Sequence, residues 1–373
     1  MRISDLNSKI KEELIKERCI SVDYREHLNR LLELCGDCIR NLSASSFEDE
    51  LPNGTNHNDL IEDVSCSVKA LLAAYDSYSA GKISSAITIM KDRFLSENTI
   101  QIFSMRHGQK WYRARKADNS GRGFSAKDMF HVPFDKRTEV ANCRFSISGY
   151  PCLYLGSTLL SCWEEMHCPS LHELVVSKVA IKTESTLDVL DLRIPEASRT
   201  IPLFEGLTDV EMRYKNLLML KTWPLIVACS IKTISPNSPF KFEYIHPQLL
   251  MLAMKELGRE RLYGIAYTST HLDVNMTADI SCYTNVAIPV RNVKSKGYCE
   301  HLSQLFDITR GVSFMEAEIK NVFDMLSTLH LDPEKGILSV VSYSDGTAPY
   351  ENTKFGQIEN FLNDGVQLES LID

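Results

Sequence analysis

No run of eighteen apolar residues occurs in this 373-residue chain, so no membrane-spanning helix is expected. The first residues, MRISDLNSKIKEELIKER, carry charge throughout and no apolar core segment, and so are not read as a secretory signal. Long Lys/Arg runs are missing too. Asp and Glu outnumber Lys and Arg by 49 to 41, a net charge of −8 that makes direct nucleic-acid or anionic-membrane binding unexpected. A local basic pocket stays open, because net charge averages over the surface. There is no internal repeat and no low-complexity segment. Paired cysteine spacings are scarce. The eleven cysteines are odd in number and scattered, a pattern read as reduced thiols of a cytoplasmic protein. Cys35 and Cys38 form a lone C-x-x-C inside the helical pattern LLELCGDCIRNL. Cys162, His167 and Cys168 lack the paired spacing of a zinc site, so no metal is expected.

What is present is ordinary for a globular protein: 44% hydrophobic and 24% charged residues. Apolar residues at three- and four-residue steps (Ile10, Leu14, Ile15, then Tyr24, Leu28, Leu31, Leu32, Leu34, Ile39) predict helices near the N-terminus. Further helices are predicted from about Asp59 to Tyr78 and Lys82 to Leu95, with Pro52, Asn53 and Gly54 as a loop between. Together they suit a small bundle. The pattern changes near residue 100. KWYRAR, CRFSISG, CLYLG, HELVVSKVAIK, TLDVLDL, YGIAYTS and NVAIPV read as strands, and MFHVPFDKR as a loop. STLLSCWEEM reads as a helix capped by Ser157 or Thr158. Helices are predicted at about Asp209–Ser230 and Pro247–Leu257. Beyond residue 300, a helix at MEAEIKNVFDMLST and a strand at GILSVVSY are expected. The fold class is α+β.

Three side chains carry the chemistry. Arg144 is followed ten positions on by Tyr154 and eleven further by Glu165. On a strand, Arg144 could fork onto a phosphate or carboxylate, with Ser146 and Ser148 sharing its face. Tyr154 could stack on a flat heterocycle, and Glu165, beside Glu164, could stabilise positive charge developing on a sugar ring. A buried Arg–Glu ion pair beside a core tyrosine explains the same residues.

The ordered segments WYRAR, HVPFDKR, RFSISGYPCLYLG, CWEE, YGIAYTST and NVAIPV resemble the RES-domain family over roughly residues 109–293. The resemblance implies an ADP-ribosyltransferase-like mixed β core with flanking helices. It implies a division into a helical, HEPN-like bundle at 1–98, a RES catalytic domain at 99–295 and an α/β extension at 296–373. It also implies a toxin that cleaves the nicotinamide–ribose bond of NAD+, with NAD as substrate and no metal, and an antitoxin or immunity protein as partner. A homo-oligomer is compatible. Carried over by position, Glu165, Arg144, Tyr154 and Ser269 would be catalytic. Arg113, with Arg144, Tyr154 and Ser269, would hold the dinucleotide. The acceptor of ADP-ribose stays open between water, phosphate and a specific protein, and a non-catalytic scaffold is the alternative of another class.

Some residues have competing structural readings. His131, Pro133 and Arg137 could line a pocket wall or shape a loop. Gln248 could reach a ligand, whereas Pro247 suits the first helical position and Trp223 with Pro224 suits packing. HEPN ribonucleases carry an Arg and a His four to six residues later. Arg25 and His27 are too close for that, and Arg106 and His107 are adjacent, so residues 1–95 read as a docking or regulatory bundle.

Overall fold

A computed structural model gives the protein as a mixed α+β chain. It describes residues 1–16, 23–95, 101–117, 123–182, 186–195, 208–235, 237–258, 262–271, 280–316, 340–343 and 346–372. Most of the helix expected at MEAEIKNVFDMLST lies outside these. The chain divides into two compact units. The first comprises Met1–Phe103, Ala141–Ser148 and Asp188–Thr270; the second comprises Ser104–Val140, Gly149–Leu187 and His271–Asp373.

The first unit is mainly helical: α1 (Ile3–Lys16), α2 (Tyr24–Arg40), α3 (Ala44–Asp49), α4 (His57–Ser79), α5 (Ile83–Phe94), α7 (Asp209–Ser230) and α8 (Ile245–Leu257). Helix α2 buries Leu28, Leu32, Cys35 and Ile39 at helical spacing, and Asp23 caps its start. Helices α2 and α4 pack on α7, and α5 packs on α8. The C-terminal half of α7, from Met219 to Ser230, is buried almost all round, as expected of a helix inside a core. A Thr208–Glu211 capping box starts it. Trp223 is fully buried and donates its indole N–H to Asn7 Oδ1 at 2.9 Å, so its role is packing. Pro247 is the third residue of α8 rather than the first, still within the turn whose N–H groups lack helical partners. Strand β5 (Leu187–Leu192) pairs in parallel with β6 (Leu262–Thr268). A parallel pair needs a long crossover, and α7 and α8 supply it.

The second unit is built on a sheet. Its strands run in the order β7 (Thr284–Pro289), β3 (Cys152–Gly156), β2 (Trp111–Lys116), β4 (Leu174–Ile181), β8 (Phe306–Thr309), β12 (Leu368–Ser370), each antiparallel to its neighbour. The short β9 (Val312–Ser313) also pairs with β4. Residues beyond 296 thus build the outer strands of this sheet. A separate hairpin joins β10 (Val340–Tyr343) to β11 (Gly346–Pro349). Alternation along β2 and β4 sends Tyr112, Ala114, Leu174 and Val176 to one face, where Leu159 and Cys162 of α6 (Leu159–Glu165) meet them with Ile358, Phe361 and Leu362 of α10 (Lys354–Asp364). Each fully buried aliphatic or aromatic chain there contributes about 1.5–3 kcal/mol.

One predicted strand is absent. CRFSISG instead forms a tight turn closed by a bridge between Cys143 and Ser146. Phe145 and Ile147 alternate with polar residues as on a strand, but Gln248 of α8 fastens the turn. Its Nε2 donates to Asn142 Oδ1 at 2.6 Å and to Cys143 O at 2.8 Å. MFHVPFDKR carries a short 3-10 helix, Phe134–Glu139, within the expected loop.

Candidate functional site

In the second unit the candidate residues gather around α6. Its N-cap is Thr158, whose hydroxyl accepts the Ser161 N–H at 3.1 Å and donates to Cys282 O at 2.5 Å. The helix packs on β3 and β7. It ends where His167 and Cys168 take left-handed backbone angles, φ 62° and 51°, uncommon for residues with a side chain. Glu165, half-buried on the last turn, accepts a hydrogen bond from Asn285 Nδ2 at 3.0 Å. Asn285 is buried on β7, and its Oδ1 accepts the Ser161 hydroxyl at 2.6 Å. One amide therefore ties two positions of α6 to the sheet and aims the Glu165 carboxylate.

Register places Tyr154 relative to this network. Tyr154 pairs with Ala287, and Gly156 with Asn285. Directly paired residues point to the same face, so Tyr154, Gly156 and Asn285 share the face that α6 covers. Gly156 is needed there. A Cβ would sit 2.7 Å from Cys162 Sγ and 3.2 Å from Asn285 Oδ1. Arg113 alternates to the opposite side of β2 from Tyr112, and its Nη1 donates to the Tyr154 carbonyl at 2.9 Å. It braces the strand that carries Tyr154. Its neighbour on that face, Arg115, donates to Phe130 O at 2.8 Å.

His131 is fully buried. Its Nδ1–H donates to Val132 O at 2.8 Å, and Nε2 accepts the Cys299 N–H at 2.9 Å. Burial pushes its pKa down to about 4, so it stays neutral and structural. Arg137 donates to Gly149 O at 2.8 Å. Both residues shape a loop.

In the first unit, Arg144 projects from the Gln248-fastened turn rather than from a strand, so Ser146 and Ser148 do not share its face by alternation. Ser146 instead closes the bridge to Cys143. The Arg144 guanidinium is buried, 8% exposed. It donates to Thr270 Oγ1 at 3.0 Å, Cys229 O at 3.2 Å and Thr233 Oγ1 at 3.4 Å, and lies 5.1 Å from the Tyr244 ring centroid. Among the described residues these acceptors are neutral oxygens, and no ion pair to Arg144 is formed there. Ser269 is buried directly after β6, next to the Thr270 that accepts from Arg144. Gln248, a candidate ligand from sequence, is spent on the turn.

Asn285 was not singled out from sequence. The available signal was an asparagine inside the apolar strand TNVAIP, where a buried amide needs a polar partner. Among the described residues no His/Cys/Asp/Glu group is arranged to hold a metal ion, and no helix is long and apolar enough to cross a membrane.

Comparison with known proteins adds one relative. A Bacillus subtilis (strain 168) protein named "Putative toxin YopC" is 35% identical over 264 residues, 70% of this chain. The chain spans 58% of that protein's length. No family model matches the chain, and no solved structure matches it.

Proposed function

We propose that this protein is a toxin-type enzyme that cleaves the nicotinamide–ribose bond of NAD+. The single observation that carries the reading is the Asn285–Glu165 hydrogen bond: a half-buried carboxylate, held by a buried amide over the sheet face that also carries Tyr154. The RES-family resemblance over residues 109–293 and the toxin name of the relative support it.

Loss of nicotinamide builds oxocarbenium character on the ribose carbon. A carboxylate fixed before the reaction stabilises that charge without reorganising during it. Glu165 takes this role, and Asn285 keeps it aimed. Tyr154 offers a ring for the nicotinamide, on a strand braced by Arg113. Arg144, which among the described residues is bonded to neutral oxygens, is by the family resemblance the fork for a phosphate oxygen. Ser269 offers a hydroxyl for ribose or phosphate. Water is the simplest acceptor; phosphate and a protein side chain are the others. An antitoxin partner and a cytoplasmic location belong to the same proposal.

The test is release of nicotinamide from NAD+ by purified protein, with labelled NAD+ followed in parallel. Label remaining on protein identifies a protein acceptor. Free ADP-ribose identifies water, and ADP-ribose 1″-phosphate identifies phosphate. Failure of the wild type to release nicotinamide overturns the reading in favour of a scaffold.

A further inference from the structure

We propose that Glu359 is a positioning residue: presented by α10, its carboxylate holds the first turn of α6 and thereby sets where Glu165 stands at that helix's other end. This rests on the reading of Glu165 given above.

The geometry is specific. Glu359 is 9% exposed, and its Oε1 accepts the Leu159 N–H at 2.6 Å and the Tyr350 hydroxyl at 2.6 Å. Leu159 is the first residue of α6, so its N–H has no partner inside the helix. A carboxylate from 200 residues away supplies one, and a negative charge suits that end of a helix. Thr158 occupies the cap with its own side chain, so the two devices address different N–H groups. At the other end, Asn285 links Ser161 to Glu165. A helix of seven residues fastened at both ends has little freedom to tilt, and movement at Leu159 is transmitted to Glu165. The contact also has an optical neighbour. Trp163 on α6 packs against Phe355 on α10, ring centroids 5.5 Å apart.

The carboxyl is poised to respond to pH. Burial pushes it up to about 7, against the opposing pull of the Tyr350 and Leu159 bonds and of Lys110. The groups facing it are Tyr350, Tyr112 of β2 and Cys162 of α6. All three are driven upward by burial, Cys162 to about 12. Lys110, just ahead of β2, is the charged side chain that acts on it, and Lys178 of β4 lies near Lys110. With Tyr350, Tyr112 and Cys162 all driven upward, Glu359 is the member of this set with a midpoint near neutrality. Hydrogen bonds to an ionised carboxylate are about twice as strong as to its neutral form, so α6 is gripped more firmly above pH 7.

Nicotinamide release measured from pH 5.5 to 8.5 is expected to show kcat rising through about pH 7. Glu359→Gln keeps a carbonyl acceptor but no charge. It should flatten that rise, leaving kcat about fivefold lower at pH 8 with KM unchanged. A second measurement is independent of activity: 19F NMR of protein labelled with 5-fluorotryptophan, the Trp163 signal assigned with Trp163→Phe. The Trp163 resonance should move with a midpoint near 7 in the wild type and stay still in Glu359→Gln. That control separates Glu359 from His167 and His172, which flank Trp163 in sequence. A wild-type Trp163 signal that does not titrate, or a titration that survives in Glu359→Gln, overturns the proposal. If Trp163 titrates as expected while the wild type releases no nicotinamide, the grip on α6 stands and the functional reading falls.

Discussion

Replacing Asn285 tests the core of the site, because that amide makes two bonds at once. In Asn285→Ala the fully buried Ser161 hydroxyl loses its Asn285 acceptor, and Glu165 loses the Asn285 donor. Leaving a buried hydroxyl unsatisfied costs about 1–3 kcal/mol. The bond to the half-exposed Glu165 adds about 1 kcal/mol after solvent screening. Stability to urea should therefore fall by about 2–4 kcal/mol. A double-mutant cycle isolates the buried half. Ser161→Ala together with Asn285→Ala should cost little more than Asn285→Ala alone, giving a coupling of about 1–2 kcal/mol. The rate of nicotinamide release should drop about 10- to 100-fold, because the carboxylate is no longer aimed. Asn285→Asp sharpens the test. It keeps an acceptor for Ser161 but sets a second carboxylate beside Glu165, which should raise the Glu165 pKa and move the acid limb of the rate profile to higher pH. Additive single mutants together with an unchanged rate would refute the reasoning.

Other consequences can be checked directly. Gly156→Ala would place a methyl carbon 2.7 Å from Cys162 Sγ and 3.0 Å from Thr158 O, and should lower the urea midpoint by about 1–3 kcal/mol of stability. Arg144→Lys cannot reach three acceptors with a planar fork. It should cost about 1–3 kcal/mol and raise the KM for NAD+; an unchanged KM would remove Arg144 from substrate binding. Stability against pH has opposite contributions. Glu359, raised to about 7, loses stabilisation as pH rises from about 4.5 to 7, so the stability of Glu359→Gln relative to wild type should climb by about 3 kcal/mol across that window. His131 and His246 are both lowered to about 4 by burial and stay neutral in the fold. Stability is therefore lost as pH falls from about 6.5 to 4, and His246→Gln should relieve about 3 kcal/mol of that loss.

Much of the local structure is legible in the sequence. WYRAR and CLYLG alternate as strands and form β2 and β3, and Asp209–Ser230 forms α7 over the expected span. Thr158 caps α6, as the Ser-Thr pair ahead of an apolar run suggests. What period and propensity do not encode is which side chains meet across long separations. The Arg144 turn alternates like a strand, yet Gln248, about a hundred residues away, bonds its backbone and favours the turn. Glu359 meets Leu159 from 200 residues away, in a segment whose sequence suggests only an amphipathic helix. Helices α7 and α8 pack with α2, α4 and α5, but an apolar stripe names no partner. For the site, Tyr154 and Glu165 carry chemistry visible in their residue types. Asn285, which aims Glu165, is visible only as a polar residue in an apolar strand.

The most direct test of the central claim is nicotinamide release from NAD+ by the wild type and by Glu165→Ala, both confirmed folded by circular dichroism. Release by the wild type and its loss in Glu165→Ala is the predicted result. Equal release from both proteins, or none from the wild type, would contradict it.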